Sequence, residues 1–260
     1  DIRQGCVDRL MNLSNNHCGV VDAETQTDLD QFAADLLTAA SRGKKFLFRS
    51  AASLLTALAQ LPPQPVAAEK MSKYVRGGQP GAFLVGSHVQ KTTSQLTALL
   101  QEPGVMGIEL DLNRMRDRLD AAAELEEEAV NHLSQAFDQG KTPVVYTSRE
   151  ELTFSDDQTR LEFGLEVSTL LMKILRQLPS ELGYLVSKGG ITSNDTVSQG
   201  LTLPTARLLG QIIPGCSVIC TPETHPQFPS LPVVLFPGNV GNEKGLVDVH
   251  DRFTRDRVDG

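Results

Sequence analysis

Along most of this chain, short apolar runs that end in glycine or a small polar residue alternate with longer stretches whose apolar residues recur every three or four positions. Such alternation predicts strand, helix and strand in succession, and a helix that carries the chain back across a sheet makes the next strand parallel to the last. The clearest helix is expected from about Leu161 to Leu178, where Phe163, Val167, Leu170, Leu171, Ile174, Leu175 and Leu178 share one face. A face that apolar must lie against a sheet. The expected fold class is therefore α/β, a three-layer α/β/α arrangement around a parallel or mixed sheet.

Six apolar runs qualify as strands in this series: Ala82 to Val85, Gly107 to Leu112, Pro143 to Thr147, Gly183 to Val186, Ser217 to Cys220 and Pro232 to Phe236. Helices are expected from Thr92 to Gln101 and from Ala121 to Gln139, the second ended by Gly140. The acidic run Glu126 to Glu128 reads as its solvated face. Upstream, Cys18 to Asp22 and Lys45 to Phe48 read as strands. Asp28 to Ser41 reads as a helix stopped at Gly43, and Ala51 to Leu61 as one halted by Pro62 and Pro63. Two strand-helix units are too few to close a domain, so this part is expected to be a partial α/β domain. Pro62 to Gly81 is rich in proline and glycine without a sustained period and reads as a linker. The expected division is 1–61, a linker at 62–82, and one large domain at 83–260.

With 260 residues, 40% of them apolar, the chain can fill one large core and part of another. A formal net charge of −8, with Lys and Arg scattered, leaves no basic stripe for a nucleic-acid backbone. No apolar run approaches the roughly 20 residues that span a bilayer, and no leader pattern opens the sequence, so the expected address is cytoplasmic. Cys6, Cys18, Cys216 and Cys220 do not have zinc-knuckle spacing and read as ordinary thiols, with a Cys216–Cys220 bridge or metal site as the alternative. Trp is absent, which argues against a carbohydrate platform of stacked rings.

Ligands of open α/β sheets bind beyond the carboxyl ends of the strands. Three strand ends draw attention. Val85, Gly86, Ser87 and His88 form a Gly-Ser turn ahead of a helix, where a phosphate or ribose has room to approach the backbone. Leu185 to Asp195 places Lys188, Gly189, Gly190, Ile191, Thr192 and Ser193 after a buried run, suited either to a nest of backbone donors or to a plain capped turn. Phe236 to Gly241 holds Gly238, which would admit a flat ring or ribose, or simply make a tight turn. Separately these turns prove little; their value is that all three fall at strand ends of one sheet. No Walker A loop and no complete dinucleotide fingerprint is present.

Together, the Lys-Gly-Gly-Ile-Thr-Ser-Asn-Asp core within Tyr184 to Leu201, the stretches Leu209 to Pro214 and Pro232 to Gly241, Gly86 to Gln95 and the Val144 to Glu150 strand end resemble the C-terminal domain of the four-carbon acid sugar kinase (YgbK-like) family. The resemblance runs from about Phe83 onward and continues more weakly through Val20 to Ala52. It implies a two-domain kinase that transfers phosphate from ATP, with Mg2+, to a sugar acid such as a tetronate. By that resemblance Ser87, Gly189, Gly190, Ile191, Thr192 and Gly238 contact the nucleotide. Ile191 stands where many relatives carry Glu, so no polar role transfers to it.

The family's Asp-Asp motif followed by Thr-Gly, source of its catalytic carboxylate, has no match here. The sequence's one Asp-Asp, Asp156–Asp157, precedes Gln and does not fit. No residue is therefore assigned as the catalytic base, and this chain is expected to be inactive alone. Asp22 and Arg49, at the ends of the two upstream runs, are candidates for holding the sugar acid, against ordinary capping or a surface salt bridge. The alternative function is a non-enzymatic nucleotide-binding module; a nicotinamide oxidoreductase would need the missing glycine fingerprint. Sheet edges left by a shortened first domain would also allow a homodimer.

Overall fold

The computed structural model describes residues 1–62, 64–118, 120–150 and 152–254. The chain divides into two compact units, Asp1–Pro63 and Gln64–Gly260.

The first unit is helical. It contains α1 (Val7–Asn12), α2 (Gln26–Ser41) and α3 (Ala52–Leu58). Thr25 caps α2 by accepting from the Asp28 amide, and Asp28 returns the favour to the Thr25 amide, a capping box. Phe32, Leu36 and Ala39 from α2 pack with Cys6, Leu10 and Leu54 into a small core. Cys18 to Asp22 and Lys45 to Phe48, expected as strands, are neither helix nor strand, and Val20 and Leu47 are exposed. A strand is held by a neighbour's ladder of hydrogen bonds, and among the described residues of this unit no strand offers one. Helix α3 ends at Leu58, three residues short of the expected stop at Leu61, and a turn at Ala59 and Gln60 precedes Pro62; Pro63 lies outside the described residues.

The second unit carries a seven-stranded sheet in the order β2-β3-β1-β4-β7-β6-β5. Its strands are β1 (Ala82–Val85), β2 (Val105–Leu110), β3 (Thr142–Thr147), β4 (Leu185–Lys188), β5 (Arg207–Ile213), β6 (Cys216–Cys220) and β7 (Pro232–Phe236). The five strands from β2 to β7 in that order are parallel, and β6 and β5 add an antiparallel edge. Helices cover both faces, making the three-layer α/β/α architecture expected from the sequence. One core joins α6 (Ala121–Asp138) and α7 (Asp157–Arg176) to the sheet through Leu125, Ala129, Leu133, Leu170, Leu171, Ile174 and Leu175. The other joins α4 (Gln90–Leu99) and α9 (Gly245–Thr254) through Leu96, Leu99, Leu246, Val249 and Phe253. Short helices α5 (Leu112–Asp117) and α8 (Gly190–Asp195) follow β2 and β4.

Besides β5 and α9, for which no element was expected, two parts of this unit differ from the sequence expectation. The stretch read as a linker is packed into the unit: Val66 and Met71 are buried in the α4/α9 core, and the Val66 amide donates to the Leu209 carbonyl of β5 at 2.8 Å. Gly210 permits that approach, since a Cβ there would sit 2.8 Å from the Val66 carbonyl oxygen. The fourth strand, expected to end at Val186, continues through Ser187 and Lys188, both buried and paired with β7. Among the described residues, no helix is long and apolar enough to cross a membrane. All four cysteines are free thiols.

Candidate functional site

Adjacent parallel strands β3, β1, β4 and β7 deliver their carboxyl ends to one edge of the sheet. There β1 runs into Gly86 and Ser87, β3 into Ser148 and Arg149, β4 into Gly189 and Gly190, and β7 into Pro237 and Gly238. After β1 the chain turns to the face covered by α4, whereas after β4 it leads to Val197 on the face covered by α6 and α7. The chain thus parts between β1 and β4, and a parting of this kind opens the crevice in which α/β sheets hold ligands.

Hydrogen bonds lace the turns together. The Gly189 amide donates to the Phe236 carbonyl at 2.9 Å, and the Gly86 amide to the Lys188 carbonyl at 3.2 Å. From α4, the Thr92 hydroxyl donates to Ser87 Oγ at 3.0 Å and to the Gly238 carbonyl at 3.2 Å. The glycines are packed at the limit of contact. A Cβ on Gly86 would lie 2.4 Å from Thr192 Oγ1, and one on Gly238 would lie 2.9 Å from Ser87 Oγ. Gly189 has φ +127° and space only for hydrogen, since a Cβ would be 3.0 Å from Thr192 Oγ1 and 3.2 Å from Ser87 Cβ.

The structure therefore brings Ser87, Gly189, Thr192 and Gly238 into one cluster. Gly190 is exposed with open space about it, and Ile191 is 76% exposed beside it. Asp22 and Arg49 are exposed residues of the first unit, outside any helix or strand. Asp156 caps α7 through the Thr159 amide at 2.8 Å, a structural task that accounts for the unmatched Asp-Asp pair.

Two cations at the cluster were not singled out by sequence. Lys188 is fully buried, and its Nζ donates to the carbonyls of Pro237 at 2.8 Å and Gly238 at 3.2 Å while lying 3.9 Å from the centre of the Phe236 ring. Burial pushes its pKa down to about 8. Arg149 donates through Nη2 to the Ser87 carbonyl at 2.7 Å and to Thr93 Oγ1 at 3.0 Å, while its Nη1 is buried with no hydrogen-bond partner among the described residues. Among the described residues neither cation belongs to an ion pair. Both hold by its carbonyl a turn that sequence had marked. A charged residue two or three positions past an apolar run is the signal that could have found them.

Comparison with known families gives this geometry its context. The family model described as the nucleotide-binding C-terminal domain matches residues 82–246, which hold the strand-end cluster, and that of the sugar-binding N-terminal domain matches residues 1–58. The chain belongs to the four-carbon acid sugar kinase family. A search of curated protein sequences found no match. Among solved structures, the family member is similar to a domain of unknown function from Bordetella bronchiseptica, solved with bound citrate as a domain-swapped dimer. Identity is 19% and the TM-score 0.54, over 90% of this chain and 53% of that one. It is also similar to a protein described as a putative tRNA synthase from Salmonella typhimurium LT2, again at 19% identity and a TM-score of 0.54, over 90% of this chain and 52% of that one. The chain thus spans about half the length of those two proteins, and at such identity the likeness establishes the fold alone.

Proposed function

We propose that this chain carries the nucleotide half of an ATP-dependent kinase that phosphorylates a hydroxyl of a four-carbon sugar acid. The observation that carries the reading is the convergence of the Ser87, Gly189–Thr192 and Gly238 turns at the crevice between β1 and β4, with hydrogen-only clearance at Gly189 and Gly238. Such clearance lets the three turns close on Ser87 and Thr192, which brings their hydroxyls and the amides of Gly190 and Gly238 to one place where a phosphate could meet them.

Bound there, ATP would supply the phosphoryl group and Mg2+ the charge that neutralises it in transfer. Ser87 and Thr192 would offer hydroxyls and Gly190, Ile191 and Gly238 their backbone amides, while Gly189, whose own amide is held by the Phe236 carbonyl, would shape the turn, so the exposed Ile191 side chain need take no part. Among the described residues no group of three or more His, Cys, Asp or Glu could hold a metal ion. Magnesium is accordingly expected to ride on the phosphates, its common habit in phosphoryl-transfer sites. Asp22 and Arg49 remain the proposed holders of the sugar acid. That the Bordetella protein binds citrate, a polycarboxylate, accords with an acidic small-molecule substrate.

Calorimetric titration of the chain with ATP and Mg2+, repeated on Gly189→Val, tests the reading. A β-branched side chain at φ +127°, pressed on Thr192 and Ser87, should weaken binding by at least about tenfold. A circular dichroism melt should show both proteins folded. Absence of binding by the folded parent would refute the nucleotide site. Nucleotide binding without ADP release, on adding four-carbon sugar acids, would favour the non-enzymatic module for this chain.

A further inference from the structure

The geometry points to Lys188 as a positioning residue whose charge, held beneath the Pro237–Gly238 turn, sets how tightly the site grips the polyphosphate of its nucleotide. This deepens the nucleotide-site reading and rests on it.

Lys188 is the last residue of β4, at a position where a strand between two parallel neighbours normally buries an apolar side chain. A buried ammonium without a carboxylate is costly, and in such places lysine is ordinarily absent or paired. Here its only hydrogen-bond partners among the described residues are the Pro237 and Gly238 carbonyls. Those two bonds occupy both carbonyl oxygens of the turn with the ammonium, and place a positive charge without a carboxylate partner against the turn. Both effects favour phosphate over a neutral ligand.

The charged and titratable groups near Lys188 are few. Cys216 approaches from β6 and Lys91 from α4, and the Phe236 ring of β7 lies against the ammonium. Burial lifts the Cys216 thiol to about 12, so it stays neutral while Lys188 titrates. Lys91 repels Lys188 and so favours its neutral form. Burial and that repulsion bring deprotonation down to about pH 8. Above that pH the ammonium loses its charge while the nucleotide keeps its own, because phosphate's second ionisation, at a pKa of about 6, is already complete. Affinity for a polyphosphate should therefore fall as pH rises through this range.

The test is titration of the whole chain with Mg-ATP and, separately, with adenosine, at pH 7 and pH 9.5. ATP affinity should drop by about tenfold between the two pH values, with adenosine affinity unchanged. Lys188→Met keeps the apolar stem and removes the buried charge, so it should fold. Its ATP affinity should be lowered at pH 7 and no longer depend on pH. ATP binding that is level across the range in the parent, or that falls as steeply in Lys188→Met, would overturn the role of Lys188 and leave the nucleotide site standing. Failure of the folded parent to bind ATP at either pH would overturn both.

Discussion

At the scale of single residues, the site is organised from behind. Arg149 reaches from the end of β3 to hold the Ser87 carbonyl and the Thr93 hydroxyl, much as Lys188 holds the Gly238 turn from the end of β4. Its burial lowers its pKa, yet a guanidinium stays charged at any ordinary pH. Arg149→Met removes three donor contacts to Ser87 and Thr93 and frees the Ser87 turn. Mg-ATP affinity should fall by about tenfold, as for loss of one charge-assisted anchor, with no change in its pH dependence. Calorimetry at the same two pH values checks this, and an Arg149→Met protein that binds ATP like the parent would remove Arg149 from the site. The glycines were legible at this scale as turns, because small residues after an apolar run mark where the chain leaves the sheet. Lys188 and Arg149 were not singled out because residue type alone does not reveal that a charge is buried. The strand was ended at Val186 because Lys188, Gly189 and Gly190 read as its break.

At the scale of elements, legibility followed the regularity of the pattern. Helix α7 was foreseen from its spacing of three and four, and the structure buries Val167, Leu170, Leu171, Ile174 and Leu175 along it. Its first turns behave differently: Leu161 is 59% exposed and Leu165 68% exposed, because the covered face begins further along. Leu175→Ala should cost about 2–5 kcal/mol by opening a cavity in the core, whereas Leu161→Ala should change stability by less than about 0.5 kcal/mol. Urea unfolding of the two variants measures the contrast, and equal losses would mean that α7 packs along its whole length. Strand β5 escaped notice because Gly210, with positive φ, and two register shifts interrupt its alternation. Helix α9 was given no element in the sequence reading, although Leu246, Val249 and Phe253 carry the helical period. The two upstream runs show the converse failure: apolar content predicts a strand only where a neighbour completes the ladder.

At the scale of the whole molecule, two units of unequal cohesion share one chain. The second unit builds two cores, one on each face of the sheet, with Leu84, Val145 and Val233 buried in one and Phe83, Val144 and Val234 in the other. The first unit has one core of six buried residues, and its Val20 and Leu47 stay in water. A segment of its length buries only about 60% of the surface that its unfolded chain exposes, which leaves little margin over conformational entropy. Local opening should therefore cost far less in the first unit than in the second. Native-state hydrogen exchange followed by mass spectrometry is expected to show the amides of α2 exchanging at least about a hundredfold faster than those of β1, β4 and β7, the strands that carry the cluster. Saturating Mg-ATP should slow exchange in the strand-end turns and leave α2 unchanged, because a ligand stabilises only the unit that binds it. Equal protection of α2 and the central strands would mean that the two units unfold as one, and nucleotide affinity would then depend on both.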